Sequence, residues 1–439
     1  MGEIRQMNEL AIELNDVLDN CTIGQCLSEY GKRMYFPKGI VAQSAAAKTK
    51  ATKHNATVGQ AFINKKPLYL NSIYDCFDQT KVQPSEIFTY APGAGLPELR
   101  ALWAADMLKK NPGLVGKKIS NPVVTAGLTH AIGILIRMFL NAGEKLLLPN
   151  FFWDNYDLIA KENAGADIET FELYDESGCH FNIEGFEKAI ESSESQKIVT
   201  LLNFPNNPTG YTPTVAEMES IRDVLVRQAD KGKKLVVISD DAYFGLFYEE
   251  NTSRESLFAL LADCHENILA IKGDAATKEA LVWGFRIGFI TYSCKNMSDE
   301  QYDAFETKIK GSIRASVSNC TKPGQSLLVK AMEDEEAYEN DKLDAVKEME
   351  KRYLIIKSNL DEKKDITYIK PLAFNSGYFL SFKCEGSVEE LRLLLLDKYG
   401  VGVINIMDKV LRVAYCSVDS DKIPDLLNII YKAAGELWS

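Results

Sequence analysis

The chain has 439 residues, of which 46% are apolar and 26% charged, with 50 basic against 62 acidic side chains and a net charge of −12. That length predicts two domains, and the acidic balance argues against a nucleic-acid-binding surface. No apolar run approaches the roughly 20 residues that span a bilayer.

Three further readings bear on surroundings. Residues 1–6 carry no basic region followed by an apolar stretch, so no leader is expected there. The nine cysteines are scattered, and the close pair Cys21 and Cys26 has no second pair or histidine cluster to complete a zinc spacing. With four histidines in all, the expectation is a cytoplasmic protein with reduced thiols and no catalytic metal, meeting neither membrane nor nucleic acid.

In chain order, 122–125 reads as a short strand. It is followed by Ile132, Leu135, Ile136, Phe139 and Leu140, whose spacing of three and four predicts one apolar helix face. Further unalternating apolar runs stand at 145–148, 197–202, 234–239, 267–271 and 286–290. Runs apolar on both faces suit a mostly parallel sheet covered by helices. Beyond them, helices are expected over 336–360 and 388–399, and strands near 378–382 and 410–415. The fold class is therefore α/β, with a smaller α+β domain that recruits N-terminal residues.

Ligands of open α/β sheets sit beyond the carboxyl ends of the strands. The run Gly273-Asp-Ala-Ala-Thr-Lys278 falls at such an end, and Arg286 follows eight positions on, flanked by Gly284 and Gly288. An amine and a planar phosphate-binding fork are thus placed together. Asp240 ends the 234–239 run and precedes Tyr243 by three; a buried carboxylate there suits a protonated ring nitrogen, and the phenol a ring oxygen. Asp241 competes for the first role, and a strand-end acid can equally cap a turn. Asn206-Asn207-Pro208-Thr209-Gly210 forms a rigid turn able to hold the Asn207 amide in place. Gly127, Leu128 and Thr129 open a helix, whose free N–H groups and dipole suit a phosphate. Arg412, inside an apolar strand, needs an anion: a structural acid or a substrate carboxylate. In the aromatic stretch 151–156 one ring is placed to stack on a planar ligand, with packing as the alternative.

These residues, in this order, resemble the class I/II aminotransferases, the aspartate aminotransferase-like group of fold-type I pyridoxal-phosphate enzymes. The resemblance runs from Tyr90-Ala-Pro-Gly93 to Arg412. It implies an N-terminal arm with part of the small domain over 1–65, a large pyridoxal-phosphate-binding domain over 66–314 and a small domain over 315–439. It implies pyridoxal 5′-phosphate as cofactor, with Lys278 as the Schiff-base lysine, Asp240 on the pyridine nitrogen, and Tyr243 and Asn207 on the 3′ oxygen. Gly127, Leu128, Thr129 and Arg286 would form the phosphate cup. Relatives carry a serine where this chain has Ala275, which leaves Thr277 as the nearest hydroxyl. Trp153 fits the stacking position by pattern, and Phe151 by counting from Pro149. Arg412 would clamp the substrate α-carboxylate.

The same resemblance implies a homodimer with shared sites, Tyr90 reaching the neighbour's phosphate. Arg314 would cross the interface to a substrate side-chain carboxylate, or else make an interface salt bridge. The implied reaction moves an amino group between an L-amino acid, aspartate or glutamate among the candidates, and a 2-oxo acid. Its alternatives are a β-lyase or β-decarboxylase on the same scaffold, or a non-catalytic cofactor-binding module.

Overall fold

The computed structural model describes residues 7–37 and 39–439; the 1–6 stretch read for a leader lies outside them. Its centre is a seven-stranded sheet. From edge to edge it runs Val123–Thr125, Gly288–Ser293, Ile268–Ala275, Lys234–Asp240, Lys197–Asn203, Lys145–Pro149 and Asp167–Phe171. Gly288–Ser293 is antiparallel to both neighbours, and the pairs from Ile268–Ala275 to Asp167–Phe171 are all parallel. Six of the seven strands were legible as apolar runs. The seventh, Asp167–Phe171, is a half-exposed edge carrying Asp167 and Glu169, so it lacks the buried-strand signature.

The helix predicted after Thr125 spans Leu128–Phe139 and is not apolar on one face alone. Ala131, Ile132, Gly133, Ile134, Leu135 and Ile136 are consecutive and all buried. The helix packs against the sheet, the Asp299–Ser316 helix and the turn at 158–163, and so is covered on several sides. Leu140 falls just past its end, in extended backbone.

A second core surrounds a four-stranded antiparallel sheet in the order Ile369–Pro371, Phe379–Cys384, Val410–Ala414, Ile404–Ile406. Residues from near the N-terminus join it: His54–Asn55 pairs in parallel with Val401–Gly402, and Ala56 and Ala61 pack inside. Arg352, fully buried, pins the join by donating from Nη2 to the Phe62 carbonyl at 2.7 Å and from Nη1 to that of Cys416. The expected boundary at 314/315 does not coincide with the change of core. Leu327, Leu328 and Met332 of the helix Lys322–Glu333 belong to the first core. The following helix, Glu335–Asp361, carries Tyr338 into the first core and Met349, Tyr353, Ile356 and Leu360 into the second.

Beneath the carboxyl end of the large sheet lies an ion cluster. Lys272, 2% exposed, pairs with Asp241 and, at 3.3 Å, with Asp274. Asp241 also accepts from Ser256 Oγ at 2.7 Å, and Asp274 from Trp103 Nε1 at 3.1 Å. Removing one member of a buried ionic set strands the others. Lys272→Met is therefore expected to cost about 3–5 kcal/mol in urea-unfolding free energy at pH 7. A loss below about 1 kcal/mol would show that both carboxylates find other partners.

Candidate active site

The carboxyl ends of the strands open into a cavity of about 420 Å³. Asp240 lies at its base, 3% exposed. The neighbouring strand ends one register step alongside it, opposing Asn203 to Asp240. Asn203 Nδ2 donates to the Asp240 carbonyl at 2.8 Å and to its Oδ1 at 3.2 Å, while Tyr156 Oη donates to Oδ2. These donors are neutral, so the carboxylate is fixed in orientation without an ion-paired cation. Burial pushes its pKa up, against the Tyr156 hydrogen bond, which lowers it. Asp241, the competitor in the sequence, turns instead to Lys272.

Lys278 belongs to the short helix Ala276–Glu279 that ends the strand Ile268–Ala275. Its ammonium sits 4.5 Å from the centroid of the Tyr243 ring. Burial pulls its pKa down to about 8, Asp240 acting against the shift and Arg286 with it. An amine poised there is available as a nucleophile near neutral pH. Burial likewise pushes the Tyr243 phenol up.

On another side of the cavity, Gly127 caps the helix Leu128–Phe139 with φ +82° and no side-chain cap. The first N–H groups of that helix have no intrahelical acceptor. The Arg286 guanidinium lies across Gly127: a β-carbon there would come 2.5 Å from Nη2. Gly288 is as tightly placed, its β-carbon site 2.6 Å from the Gly127 carbonyl carbon. Arg286 itself holds φ +55°, with Nη1 donating to the Trp283 carbonyl at 3.2 Å. Thr129 and Thr277 add hydroxyls to the wall, and Ala275 adds none. Together they make a cradle of donors and positive charge suited to a phosphate.

Opposite, Arg412 reaches in from the small sheet, 3% exposed. Nη1 donates to Asn207 Oδ1 at 2.9 Å and Nη2 to the Thr57 carbonyl at 3.0 Å. Its Nε is buried with no hydrogen-bond partner, and its guanidinium lies 4.5 Å from the Phe379 ring centroid. A buried arginine held by neutral acceptors alone retains unmatched charge for an anion. With Oδ1 taken, the Asn207 amide has its Nδ2 donors left.

The cavity thus gathers Leu128, Thr129, Trp153, Asn207, Asp240, Tyr243, Thr277, Lys278, Arg286 and Arg412, with Gly127 directly behind Arg286. Trp153 lines it and Phe151 does not; Phe151 packs toward Tyr174, with ring centroids 6.1 Å apart. Tyr90 and Arg314 are not brought in. Tyr90 is 86% exposed, and Arg314 is exposed with Nη1 donating to Ser318 Oγ at 2.6 Å. Sequence reasoning gave no role to Asn203 or Tyr156, which hold Asp240, nor to Ile40, Val41 and Ser44, which close the cavity from the N-terminal side. Asn203 carried one usable signal, a polar residue ending an apolar run as Asp240 does.

Residues 73–430 match the family model described as aminotransferase class I and II. Among curated relatives, the probable aspartate/prephenate aminotransferase of Aquifex aeolicus is 30% identical over 233 residues, 53% of either chain. The aspartate aminotransferase of Pyrococcus abyssi is 27% identical over 60% of this chain and 61% of its own. The chain therefore spans about half to three-fifths of the length of these two relatives. A crystal structure of an aminotransferase from Anaerococcus prevotii superposes with a TM-score of 0.82 at 25% identity, covering 94% of this chain and 100% of that one. The match to the family model covers most of the chain, and the protein belongs to the class I and II aminotransferases.

Proposed function

We propose that the protein is a pyridoxal 5′-phosphate-dependent aminotransferase, moving an amino group between an amino acid and a 2-oxo acid. The observation that carries this reading is a single cavity holding a buried amine (Lys278), a carboxylate with no cationic partner (Asp240) and an arginine with unmatched charge (Arg412). The residues fit the cofactor: the Gly127–Arg286 cradle and the helix N-terminus suit its phosphate, and Asp240 suits a protonated pyridine nitrogen. Tyr243 and Asn207 are positioned for the 3′ oxygen and Trp153 for the ring face. When bound, the cofactor supplies a reactive aldehyde carbon and an electron sink.

The remaining chemistry rests with the chain. Arg412 docks the α-carboxylate and so orients the amino acid over the base of the cavity. Asp240, locked by Asn203 and Tyr156, holds a proton at the ring nitrogen. The Lys278 amine, once free, would act as the base that takes the proton from the substrate Cα and as the acid that returns it. Two half-reactions through one site give ping-pong kinetics. Tyr90 and Arg314 are assigned to the neighbouring subunit's cavity in a homodimer. Support comes from exposed rings at Tyr69, Tyr74, Phe77, Phe88 and Tyr90, an apolar surface suited to a partner. Lys278, Arg286 and Arg412 are the cations that line the cavity, and each has a task. A second carboxylate, as in aspartate or glutamate, therefore calls for an arginine from outside, and Arg314 is the assigned donor. No helix among the described residues is long and apolar enough to cross a membrane, and all nine cysteines are free, which supports action in the cytoplasm.

Lys278→Ala should lower transamination by about a thousandfold or more. Borohydride treatment of the loaded wild type should add the cofactor mass to the Lys278 peptide, and to no peptide of the variant. Retained activity, or the adduct elsewhere, would remove Lys278 from its role.

In apoprotein, the rate of acetylation of Lys278 should rise with pH about a midpoint near 8. Asp240 raises the lysine's pKa, so Asp240→Asn should move that midpoint lower. A midpoint near 10.5, the ordinary value for lysine, would contradict the burial argument.

Arg412→Ala should reduce kcat/KM about 10- to 100-fold for every amino acid. Arg314→Ala should reduce it for aspartate and glutamate while sparing neutral substrates. An unchanged ratio of dicarboxylic to neutral turnover would assign Arg314 to structure.

A further inference from the structure

A second groove, of about 760 Å³, lies between loops of the large-sheet side, including Gly178 and Asn251, and the strands of the small sheet. It shares no lining residue with the cavity around Lys278. Five lysines line it (Lys357, Lys363, Lys364, Lys370 and Lys383) against two carboxylates, Glu249 and Asp361. Five less two leaves an excess of three positive charges, on a chain whose net charge is −12.

These lysines are not all accounted for by the fold. Lys357 pairs with Glu249 at 3.3 Å, and Lys363 lies 5.8 Å from the Tyr431 ring centroid. Lys364, Lys370 and Lys383 form no ion pair with any described residue. Lys370 and Lys383 stand directly opposite each other on the antiparallel strands Ile369–Pro371 and Phe379–Cys384. Opposed like charges weaken a strand pair. A lysine on an outer strand is explained as a guard against intruding strands, which covers Lys370. Lys383 is on the second strand, so that explanation does not reach it. The rings of Phe374 and Tyr431, 7% and 5% exposed, form apolar parts of the same wall.

We propose that this groove binds a small ligand bearing two or more phosphate groups, with Lys364, Lys370 and Lys383 meeting the phosphate oxygens. Ammonium groups serve phosphates as point charges without a fixed fork, and several of them lining one groove, two as cross-strand neighbours, favour a multivalent anion over a single carboxylate. Inorganic polyphosphate and nucleoside polyphosphates share this chemistry. The aromatic wall distinguishes them, because only a nucleotide brings a base to pack there.

Calorimetric titration of protein saturated with pyridoxal 5′-phosphate, so that Arg286 is occupied, tests this apart from the catalytic assignment. Tripolyphosphate should bind saturably, one per chain, and more weakly as salt rises. The double variant K370Q/K383Q should bind about tenfold more weakly or worse, with a melting temperature no lower than wild type. K109Q/K347Q, which removes two exposed lysines outside the groove, should bind as wild type does. ATP binding more tightly than tripolyphosphate would identify a nucleotide as the ligand; equal or weaker binding would identify the phosphate chain alone. The proposal is overturned if neither probe binds saturably, if K370Q/K383Q keeps wild-type affinity, or if K109Q/K347Q loses as much.

Discussion

Asp240 is a carboxylate buried at the end of a central strand, and its hydrogen bonds come from neutral groups alone. Leaving such a charge without a cation is costly, and the protein spends a second strand end and a tyrosine on fixing its direction. The same economy governs its surroundings. Lys278 and Arg412 are also buried, each beside a ring face and neither in a direct ion pair, with Asp240 and Asp154 acting on them at longer range. One layer away the arrangement differs, for Lys272 makes direct ion pairs with both Asp241 and Asp274. Site and scaffold therefore differ in whether buried charges meet in direct ion pairs. That contrast separates Asp240 from Asp241, adjacent residues with unrelated tasks.

Much of this was legible in the sequence, for reasons that can be stated. Continuous apolar runs mark strands covered on both faces, and polar residues just past them mark the end where ligands bind. Lys278, Asp240 and Asn207 stood out in that way, and Arg412 as a lone charge inside an apolar strand. What escaped depends on adjacency across strands. Asn203 and Tyr156 become partners of Asp240 only when strand order is known, and the half-exposed strand Asp167–Phe171 carries no period of its own. The helix after Thr125 misled in a different way. Its periodic leucines and isoleucines predicted one buried face, but packing on several sides also buries Gly133 and Ile134. Tyr90 and Arg314 show a limit of another kind, since the roles proposed for them need a second subunit.

The two cores are joined at the site itself. Arg412 from the small sheet donates to Asn207 in the turn after the large-sheet strand Lys197–Asn203, and Trp283 Nε1 donates to the Gly59 carbonyl at 3.2 Å, linking the loop after Lys278 to the N-terminal segment. Arg352 fastens that segment to the C-terminal region from behind. Arg412, proposed as the α-carboxylate anchor, and Lys278, proposed as the reactive amine, are thus carried by different cores. Any motion of one core against the other changes the distance between them.

The Gly127–Arg286–Gly288 arrangement carries a consequence for how such a protein can vary. The guanidinium occupies the volume of the missing side chain at 127, and the backbone at 127 occupies that at 288. The three positions are interlocked: a side chain at 127 would displace the arginine, and one at 288 would displace the backbone at 127 and 128 that the arginine lies across. A single side chain added at 127 or 288 therefore has no free volume to enter. Change at this end of the cavity is thus coupled, since room at 127 depends on where the arginine lies and room at 288 on the backbone at 127.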